Sequence, residues 1–523
     1  MLLPHLLTAA ARRFPNKIAL IFPGERISFS QLDEKSEQVA RRLRGLRIGP
    51  SSRVAILSEN SLASVIYFWG ILKTGAESVD VPALAGRDMI QAALHECKPA
   101  AVVVSERQLV RLTKECRPLG FPGITFLPET PVSDAGISDL LVHTLTEICE
   151  TEPIENSEPM VRETDVAMVV YTSGTTGRPK GVMLSHKNLI SNIRSTNQYM
   201  QLTSDDSMLV VVPLYFIHGR MQLLTHMLIG GTVAFSAGIQ FPAQVLRELI
   251  EHRVSGFSGV PYFFSALLHG SELRNVALPD LRYLVITGGA LSAQGLADLR
   301  RALPEVDIHI AYGQTEASPR IANLAPQEVP VRPGSCGRPL PDVQVEILGE
   351  DGVEVLPGEV GEVVVSGPNV MCGYVSGDEV EEGVIDSLGR LHTGDLGKFD
   401  ADGFLYLVGR ISQMIKSAGE RVFPKEIEQV IDDHVGVAES AVFGVPDRMF
   451  GERIVAWIVL SPGIEPSVES IRAHCLSRLS FSRTPREIRF VEHLPRTTSG
   501  KIDRQAVRAQ YDQTSGAAGI ERT

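Results

Sequence analysis

Apolar residues before about Pro326 fall into two alternating patterns. Short apolar runs such as Val166–Val170 predict buried strands, and apolar residues repeated every three or four positions predict amphipathic helices. The predicted strands are Val54–Leu57, Ala101–Val104, Met208–Val212, Thr232–Phe235, Tyr283–Ile286 and Asp307–Ile310. The predicted helices are Leu62–Thr74, Gln244–Arg253 and Ala293–Ala302. Strands that alternate with helices indicate an α/β protein with parallel sheets covered by helices.

The pattern changes after this region. Residues 331–410 are rich in Gly and Pro and predict a small β-rich subdomain, with strands at Gln344–Leu348, Glu362–Val365 and Phe404–Val408. A new α/β section follows, with elements predicted at Pro424–His434, Glu439–Val445, Ile454–Leu460 and Val468–Leu479. We therefore predict an N-terminal domain of residues 1–410 and a C-terminal domain of residues 411–523, with the boundary near 410–412.

Weaker signals lie near the two ends of the chain. A strand-like Ile27–Phe29 precedes Ser30, and Ser30 with Asp33 has the pattern of a helix start. The segment after about Ala509 has little apolar content, so we expect it to be frayed.

Composition narrows the classes of function. The 523 residues exceed the size of a single core, and the net charge of −12 argues against a protein that coats nucleic acid. The longest apolar runs, near Ser207–Ile217, are far shorter than the roughly 20 residues of a membrane helix, so we expect no membrane span. Six cysteines without a Cys-x-x-Cys pair indicate neither a zinc site nor a disulfide framework. Because Met1–Arg13 also lacks the pattern of a signal peptide, we expect a cytoplasmic location.

The stretch Tyr171–His186 has the chemistry of a phosphate-binding loop. Its residues Thr172–Lys180 include four hydroxyl side chains, two glycines and two cations. Glycines let backbone N–H groups converge on one point, and hydroxyls add further donors. The spacing differs from that of a Walker A loop. A flexible surface linker is the alternative.

Three motifs after predicted strands or turns have both a functional and an ordinary explanation. Gly288–Ala290 permits a close approach of backbone to a ligand, or forms a plain turn. Glu316 could bind Mg²⁺ together with phosphate oxygens, or be a solvated loop acid. Tyr312 could stack on a purine. Asp395 could accept hydrogen bonds from ribose hydroxyls, or cap a turn.

Two cations late in the chain are ambiguous when each is taken alone. Arg410, at the proposed domain boundary, could form a surface ion pair. Lys501 lies on a loop after a glycine, where a surface lysine is the usual case. Their order and spacing relative to the acids are what give them weight.

In this order and spacing, the motifs resemble the AMP-forming adenylate superfamily, which includes acyl-CoA synthetases, peptide-synthetase adenylation domains and luciferases. The sharpest elements are Tyr171–Gly181, Tyr312–Glu316, Gly361–Tyr374, Thr393–Asp395, Gly409–Glu428 and Pro495–Arg504. The resemblance implies a large N-terminal domain of helix-covered sheets, a small β-rich subdomain, and a small, mobile α+β C-terminal lid domain.

The resemblance also implies site residues. Lys501 would serve adenylation, Glu316 would be the Mg²⁺-associated acid, and Thr315 would lie near the α-phosphate. The hinge would fall on Ser412, where relatives usually have Asp or Lys. A thiol tunnel would be formed by Ser417, Ala418 and Gly419, and many relatives have Gly in place of Ala418. The ATP and AMP site would comprise Thr172, Ser173, Gly174, Thr175, Thr176, Gly177, Lys180, Gly289, Ala290, Tyr312, Gly313, Gln314, Asp395 and Arg410.

The implied reaction has two halves and uses ATP, Mg²⁺ and coenzyme A. A carboxylate attacks the α-phosphorus of ATP to form an acyl-adenylate and pyrophosphate, and a thiol then displaces AMP. One alternative keeps this chemistry but loads a separate acyl carrier protein. Another is a catalytically silent nucleotide-binding protein. A homodimer is an expectation from the family alone.

The segment Pro213–Arg220 corresponds to the acyl pocket of the family. It contains no Asp or Glu to hold an ammonium group, which disfavours amino acids as substrates. The apolar stretch Met221–Ile229 favours a fatty or aromatic acid, and Phe216 either gates the pocket or belongs to the core. Arg220 could bind a second carboxylate or a polar tail of the substrate, although a position at the surface or against a structural acid is favoured. The pocket residues would be Tyr215, Phe216, His218, Gly288 and Gly313.

Overall fold

The computed structural model describes residues 1–105, 107–109, 111, 125–128, 160–173, 179–236, 238, 240–289, 291–375, 383–461, 463–464, 466–497 and 500–518. Its main helices are α1 Pro4–Arg13, α2 Phe29–Gly45, α3 Leu62–Lys73, α4 Arg87–Cys97, α5 His186–Met200, α6 Ile217–Ile229, α7 Pro242–Glu251, α8 Pro261–Gly270, α9 Ala293–Ala302, α10 Pro424–Asp432, α11 Val468–Leu476 and α12 Arg504–Ala518. None of these is long and apolar enough to cross a membrane.

The strands alternate with these helices as the apolar pattern predicts. They are β1 Ile18–Phe22, β2 Glu25–Ser28, β3 Arg53–Leu57, β4 Glu77–Asp80, β5 Ala101–Val104, β6 Thr125–Pro128, β7 Val166–Ser173, β8 Pro179–Ser185, β9 Ser207–Val210, β10 Thr232–Phe235, β11 Gly256–Gly259, β12 Tyr283–Thr287 and β13 Asp307–Tyr312. The later strands are β14 Ala322–Leu324, β15 Ser335–Pro339, β16 Gln344–Leu348, β17 Gly361–Ser366, β18 Gly373–Tyr374, β19 Leu391–Phe399, β20 Leu405–Arg410, β21 Ile415–Ser417, β22 Glu420–Val422, β23 Val437–Asp447, β24 Gly451–Leu460 and β25 Glu487–Phe490.

The largest sheet has 13 strands and a parallel middle. Its parallel strands lie in the order β13, β12, β11, β9, β10 and β1. Beyond β13 the sheet continues antiparallel through β14 and β15 into β20, β19, β17 and β16. The β-rich region predicted for residues 331–410 therefore joins the large sheet through hydrogen bonds and does not form a detached sheet.

A second sheet of seven strands has the order β18, β8, β7, β4, β3, β5 and β6. Helix α3 is buried from Ser64 to Leu72, and its aromatic residues belong to a hydrophobic core that also contains residues of both sheets. Gly70 of this helix packs against α2, since a Cβ at this position would lie 2.4 Å from Val39 Cγ1. This shared core fixes the two sheets relative to each other and positions the turns at their edges.

A third sheet of five strands, β22, β21, β24, β23 and β25, forms the C-terminal part with its own hydrophobic clusters. The expectation that the chain is frayed after about Ala509 was wrong for the described residues. Helix α12 runs to Ala518, and Tyr511 is 1% exposed. The Tyr511 hydroxyl donates to Glu487 at 3.0 Å, and its ring contacts Phe443. Val507 and Tyr511, both 1% exposed, anchor a helix that is otherwise poor in apolar residues.

The predicted start of the second helix was two residues too late. Ser28 caps α2, accepting a hydrogen bond from Gln31 N at 3.3 Å, while Gln31 Oε1 accepts one from Ser28 N at 2.9 Å. Asp33 does not cap the helix, and it pairs instead with Lys73 Nζ at 2.8 Å. The reciprocal cap uses Ser and Gln at the spacing of a capping box, so the signal was present in the sequence.

Candidate active site

The predicted phosphate loop is the turn between the antiparallel strands β7 and β8. Thr172 lies opposite Lys180 in this pair, and the backbone of Ser173 lies opposite Pro179. Lys180 Nζ lies 5.4 Å from the centroid of the Tyr374 ring. The other predicted loop residues, Gly174, Thr175, Thr176 and Gly177, lie outside the described residues. The strand predicted before the loop is present, and the hairpin brings both ends of the loop to one edge of the second sheet.

Glu316 is joined to this hairpin through Tyr374. The Tyr374 hydroxyl donates to Glu316 Oε1 at 3.1 Å, and the same ring carries the Lys180 ammonium. Glu316 itself lies in the short 3-10 helix Thr315–Ala317 that follows β13. Tyr374 therefore contacts both charged side chains: its hydroxyl binds the Glu316 carboxylate, and its ring lies near the Lys180 ammonium.

A charged network lies beside this point, at the end of β13. The Tyr312 hydroxyl donates to Asp395 Oδ2 at 2.8 Å, and Arg410 Nε donates to Asp395 Oδ1 at 2.7 Å. Arg410 also donates to Gln314 Oε1 at 3.3 Å. Asp395 and Arg410 are opposite each other on β19 and β20. Asp395 thus accepts hydrogen bonds from Tyr312 and Arg410, and Tyr312 is largely buried with only 8% of it exposed.

Gly313 is required by the backbone that follows it. A Cβ at this position would lie 1.7 Å from the carbonyl oxygen of Pro319 and 2.9 Å from Arg320 Cα. The chain therefore folds back on itself immediately after β13. This turn places Thr315, Glu316 and Arg320 around one strand end, where ligands bind in open α/β sheets.

Lys501 reaches the same region from the C-terminal part of the chain. A Cβ on Gly288, which has φ +76°, would lie 2.8 Å from Lys501 Cε. The surrounding protein lowers the pKa of the Lys501 ammonium and Arg410 lowers it further, whereas Asp395 and Glu316 raise it. The side chain nevertheless stays open to solvent in the cleft. Gly289 packs against Pro261, and Ala290 lies outside the described residues.

The loop that carries Lys501 is docked on the N-terminal end of α8. A Cβ on Gly500 would lie 2.9 Å from Phe263 Cε1. The Arg496 guanidinium lies 4.1 Å from the centroid of the Tyr262 ring, and it pairs with Glu439 of the C-terminal sheet. These contacts hold the C-terminal lid in the arrangement that delivers Lys501 to the site.

A family model described as "AMP-binding enzyme" matches residues 7–375, and a model described as "AMP-binding enzyme C-terminal domain" matches residues 426–501. The chain belongs to the AMP-binding enzyme family. The oxalate–CoA ligase of Arabidopsis thaliana is 30% identical over 518 residues, which cover 97% of this chain and 98% of the relative. The match confirms the resemblance predicted from the motifs.

Solved structures agree with this assignment. The anthranilate CoA ligase AuaEII in complex with anthranoyl-AMP has a TM-score of 0.90 at 26% identity, and the alignment covers 99% of this chain and 98% of that chain. The o-succinylbenzoate CoA synthetase of Bacillus subtilis, in complex with ATP and magnesium, has a TM-score of 0.80 at 26% identity, with coverage of 96% and 99%. The predicted α/β fold with a large N-terminal and a smaller C-terminal domain is confirmed, as is the class of AMP-forming acid–thiol ligase. The predicted cofactors ATP, Mg²⁺ and CoA agree with these relatives.

The acyl-pocket segment of this AMP-binding enzyme runs from β9 into α6. His218 Nε2 lies 3.3 Å from Ser258 Oγ on β11. Burial lowers the pKa of His218 to about 3, and the charges of Arg320 and Lys501 lower it as well, so the imidazole is neutral at pH 7. Tyr215 packs into a hydrophobic cluster of the second sheet, and Phe216 lies partly buried against the same cluster. The assignment of these residues to an acyl pocket stays a prediction.

Arg220 has a structural acid as its partner. Its NH2 and Nε donate to the two oxygens of Asp80 at 2.7 and 3.1 Å, and both side chains are almost fully buried. The guanidinium also stacks on Phe68, 4.0 Å from the ring centroid. The structural explanation of Arg220 is therefore confirmed, because β4 supplies a carboxylate that no local pattern in the sequence connects with α6.

The predicted thiol-tunnel residues belong to a hairpin of the C-terminal sheet. Ser417, Ala418 and Gly419 form the turn of the hairpin β21–β22, with φ +53° at Ala418 and +81° at Gly419. Within the described residues, no hydrogen bond or ion pair joins this hairpin to Glu316, Asp395 or Arg410. Ser412 lies exposed in the short helix Ile411–Gln413, immediately after β20. Its role as a hinge stays a prediction.

Two residues of the site, Tyr374 and Arg320, were not assigned a function from the sequence. Tyr374 bridges Glu316 and Lys180, although it lies 58 positions after Glu316. Arg320 follows Glu316 by four positions and turns inward to the neutral side chains around α6. A cation so close to a predicted catalytic acid was the available signal for Arg320, and Tyr374 ends the motif Gly361–Tyr374, which was recognised without a role for this tyrosine.

Proposed function

We propose that this AMP-binding enzyme uses ATP to activate a carboxylic acid as an acyl-adenylate, with release of pyrophosphate, and then passes the acyl group to the thiol of coenzyme A. The observation that carries the proposal is the approach of Lys501, from the C-terminal lid, to Glu316, Asp395 and Arg410 of the N-terminal domain. A cation, a carboxylate and a polar network from distant parts of the chain converge where a nucleotide would bind.

Lys501 is the proposed catalytic cation of the first half-reaction. Attack of a carboxylate on the α-phosphorus brings an anion toward a polyanion, so a positive charge between them lowers the barrier. The surroundings lower the pKa of Lys501, but nearby phosphates would oppose this and keep the ammonium charged. Thr315, at the start of its short helix, is proposed to lie near the α-phosphate.

The donors around Glu316 fit a magnesium ion that takes most of its ligands from the nucleotide. The described residues contain no group of three or more His, Cys, Asp or Glu side chains suited to a metal. Mg²⁺ binds one or two protein carboxylates together with phosphates and waters, so a single acid is sufficient. When bound, Mg²⁺ neutralises charge on the leaving pyrophosphate. Glu316 would hold it, and the hydrogen bond from Tyr374 orients that carboxylate.

Asp395 and Arg410 are proposed to bind the ribose. Asp395 already accepts from Tyr312 and Arg410, which fixes the orientation of its carboxylate before a nucleotide arrives. Each carboxylate oxygen keeps a further acceptor direction for a ribose hydroxyl. The hydrogen bond to Asp395 and the burial of Tyr312 restrain the ring that is proposed to contact the purine.

The second half-reaction would require a different position of the lid. In the present arrangement Lys501 lies against Gly288, and no hydrogen bond or ion pair among the described residues joins the hairpin turn Ser417–Gly419 to Glu316, Asp395 or Arg410. We propose that rotation near Ser412 withdraws Lys501 and brings the hairpin to the acyl-adenylate, where it lines the path of the thiol. The contacts of Gly500 and Arg496 with α8 would have to break in this movement.

CoA is the proposed acceptor, and transfer to a separate acyl carrier protein is the alternative that shares the same lid chemistry. A homodimer and a cytoplasmic location remain part of the proposal. The absence of a membrane-spanning helix among the described residues is compatible with that location.

The proposal is tested by carboxylate-dependent exchange of pyrophosphate into ATP, followed by thioester formation with CoA. The panel contains fatty acids of graded length, aryl acids, dicarboxylic acids and amino acids. We expect exchange with at least one class and a thioester with CoA. Exchange with none, although nucleotide still binds, would identify a silent nucleotide-binding protein. A thioester with carrier protein but not with CoA would favour the alternative acceptor.

A further inference from the structure

Arg320 is a buried cation without an acidic partner. Only 8% of the residue is exposed, and its NH1 donates to the Tyr199 hydroxyl at 3.0 Å. No carboxylate of the described residues forms an ion pair with it. Arginine keeps its charge in proteins, and an unpaired buried charge is costly. The environment of Arg320 is therefore incomplete in the free protein.

Two histidines and a tyrosine near Arg320 are neutral at pH 7. Burial lowers the pKa of His218 to about 3 and that of His309 to about 4, and the charge of Arg320 contributes to both effects. Burial raises the pKa of Tyr199, against the influence of Arg320. These groups leave the positive charge of Arg320 uncompensated, so the region attracts an anion.

Arg320 and the reactive end of the site are close to the same imidazole. Both Arg320 and Lys501 lower the pKa of His218, so both cations act on this side chain from within electrostatic range. The backbone of Arg320 packs directly against Gly313, at the strand end that also carries Glu316. A substrate whose reacting carboxylate meets Lys501 can therefore extend past His218 toward Arg320.

The side of α6 that faces the large sheet is polar. His218, Gln222 and His226 follow one another at intervals of four residues, and they lie on one face of the helix. His218 lies 3.3 Å from Ser258 Oγ, and His226 Nε2 lies 3.0 Å from the Tyr283 hydroxyl, which places this face against β11 and β12. Gln222 is 3% exposed and its Oε1 has no hydrogen-bond partner.

This polar face differs from the expectation of a fatty or aromatic pocket. The apolar composition of Met221–Ile229 describes the helix as a whole, but its apolar side chains pack into the core shared with the second sheet. The residues left toward β11 and β12 are histidines and an amide. A long aliphatic tail would leave the Gln222 Oε1 atom without a donor and the charge of Arg320 without a counter-charge, which opposes binding.

We propose that the substrate is a dicarboxylic acid, whose second carboxylate binds the Arg320 guanidinium beyond His218. This rests on the proposed function, because the first carboxylate is the one activated by ATP. The planar guanidinium matches a carboxylate with two parallel hydrogen bonds, and the pair supplies the counter-charge that the free protein lacks. Gln222, on the same face of α6 as His218, donates from its Nε2 to the His218 carbonyl at 3.4 Å and adds a further polar group to this face. The role first considered for Arg220 thus belongs to Arg320.

The test compares matched acids and matched variants. Pyrophosphate exchange is measured with monocarboxylic and dicarboxylic acids of equal carbon number, aliphatic and aromatic. We expect kcat/KM for the best diacid to exceed that of its monoacid at least about 100-fold, because a site built for a polar group rejects the analogue that lacks it. Exchange that favours monoacids would overturn the inference while leaving the ligase function intact, whereas no exchange at all would overturn the proposed function.

Variants separate direct binding from general electrostatics. Arg320→Met should lose about 100-fold or more in kcat/KM on diacids and change little on monoacids, and Arg320→Lys should recover part of the loss. The matched control is Arg282→Met, because Arg282 also acts on His309 but is already paired with Asp206 at 2.8 Å. An equal loss on mono- and diacids in Arg320→Met, or the same diacid loss in Arg282→Met, would contradict the assignment.

A thermal melt of the free protein gives a second readout. Arg320→Met should melt at the wild-type temperature or above, because it removes an unpaired buried charge. In the wild type, the preferred diacid should raise the melting temperature, and in Arg320→Met this shift should disappear. A large fall in the melting temperature of Arg320→Met would indicate a structural cation and would overturn the proposal.

Discussion

The proposed nucleotide half and the proposed acyl half of this site differ in how their charges are partnered. In the proposed nucleotide half, Asp395 forms an ion pair with Arg410 and also accepts from Tyr312, and Glu316 accepts from the Tyr374 hydroxyl. In the proposed acyl half, burial and nearby cations keep His218 and His309 neutral, and Arg320 forms no ion pair with a carboxylate of the described residues. An ion pair fixes the positions of its side chains before a ligand binds, whereas a buried cation without a counter-charge attracts an anionic ligand.

The contrast is sharpest between two buried arginines, Arg220 on α6 and Arg320 in the turn after β13. Arg220 is 2% exposed and binds Asp80 through two hydrogen bonds, with Phe68 stacked on its guanidinium. Arg320 is 8% exposed and has one neutral phenol as its partner. The same residue type therefore serves the fold in one place and, in our proposal, the substrate in the other.

Removing the acid from the paired arginine should have the largest effect on stability. Asp80→Ala leaves Arg220 charged and buried, and breaking a buried pair in this way costs about 3–5 kcal/mol. Urea unfolding of Asp80→Ala should report this loss. The double variant Asp80→Leu with Arg220→Met should recover most of it, because no charge remains buried. If Asp80→Ala unfolds like the wild type, the pair is not what holds α6 against β4.

Acid should weaken the acyl half through its neutral histidines. His226 is 1% exposed, and burial lowers its pKa to about 4, below the ordinary value near 6.5. Between pH 6.5 and about 4, His226 is protonated in the unfolded chain but neutral in the folded protein. The free energy of unfolding is therefore unaffected by this residue above pH 6.5, and it falls as the pH drops toward 4. The loss is about 1.4 kcal/mol per pH unit for each such histidine.

The measurement is urea unfolding between pH 7.5 and 5. In His226→Gln, the free energy of unfolding should fall with decreasing pH by about 1.4 kcal/mol per pH unit less than in the wild type. The control is His269→Gln, at the exposed C-terminal end of α8. If stability declines as steeply in His226→Gln as in the wild type, His226 is protonated in the folded protein, and the prediction is wrong.

The smallest effect is expected at the lid hairpin. Ala418 has φ +53°, a conformation that costs a non-glycine residue about 1–2 kcal/mol. Ala418→Gly removes this strain but gives the unfolded chain more freedom, so the net stabilisation should be about 1 kcal/mol or less. Denaturation of the variant checks the sign, and Gly419→Ala at φ +81° should destabilise. A destabilised Ala418→Gly would mean that the methyl group makes a packing contact worth more than the strain.

The sequence predicted regular elements more reliably than long-range partners. Apolar runs located strands such as β5 and β10, because a buried strand needs four or five apolar residues in succession. The end of the chain was predicted wrongly, because one buried Tyr511 outweighs the polar average of α12. Local composition does not reveal which single side chain finds a core.

In the candidate site too, the sequence identified individual residues but not their long-range partners. Glu316, Asp395, Arg410 and Lys501 were selected by their motifs, and the structure brings Lys501 within electrostatic range of the other three. The sequence favoured a structural partner for Arg220, which is confirmed, but it assigned no role to Arg320. Arg220 stands inside the pocket segment, but Asp80, 140 positions earlier, neutralises it. Only the fold tells which arginine has an acid.

The central claim is that Lys501 acts in adenylation and not in thioester formation. The direct test measures both half-reactions in Lys501→Ala, with Lys187→Ala on the exposed surface of α5 as the control. We expect acid-dependent pyrophosphate exchange to fall by at least about 10²–10³-fold in Lys501→Ala, as when a preorganised donor to developing charge is removed. Thioester formation from pre-made acyl-adenylate and CoA should stay at the wild-type rate. An equal loss in both half-reactions would contradict the account.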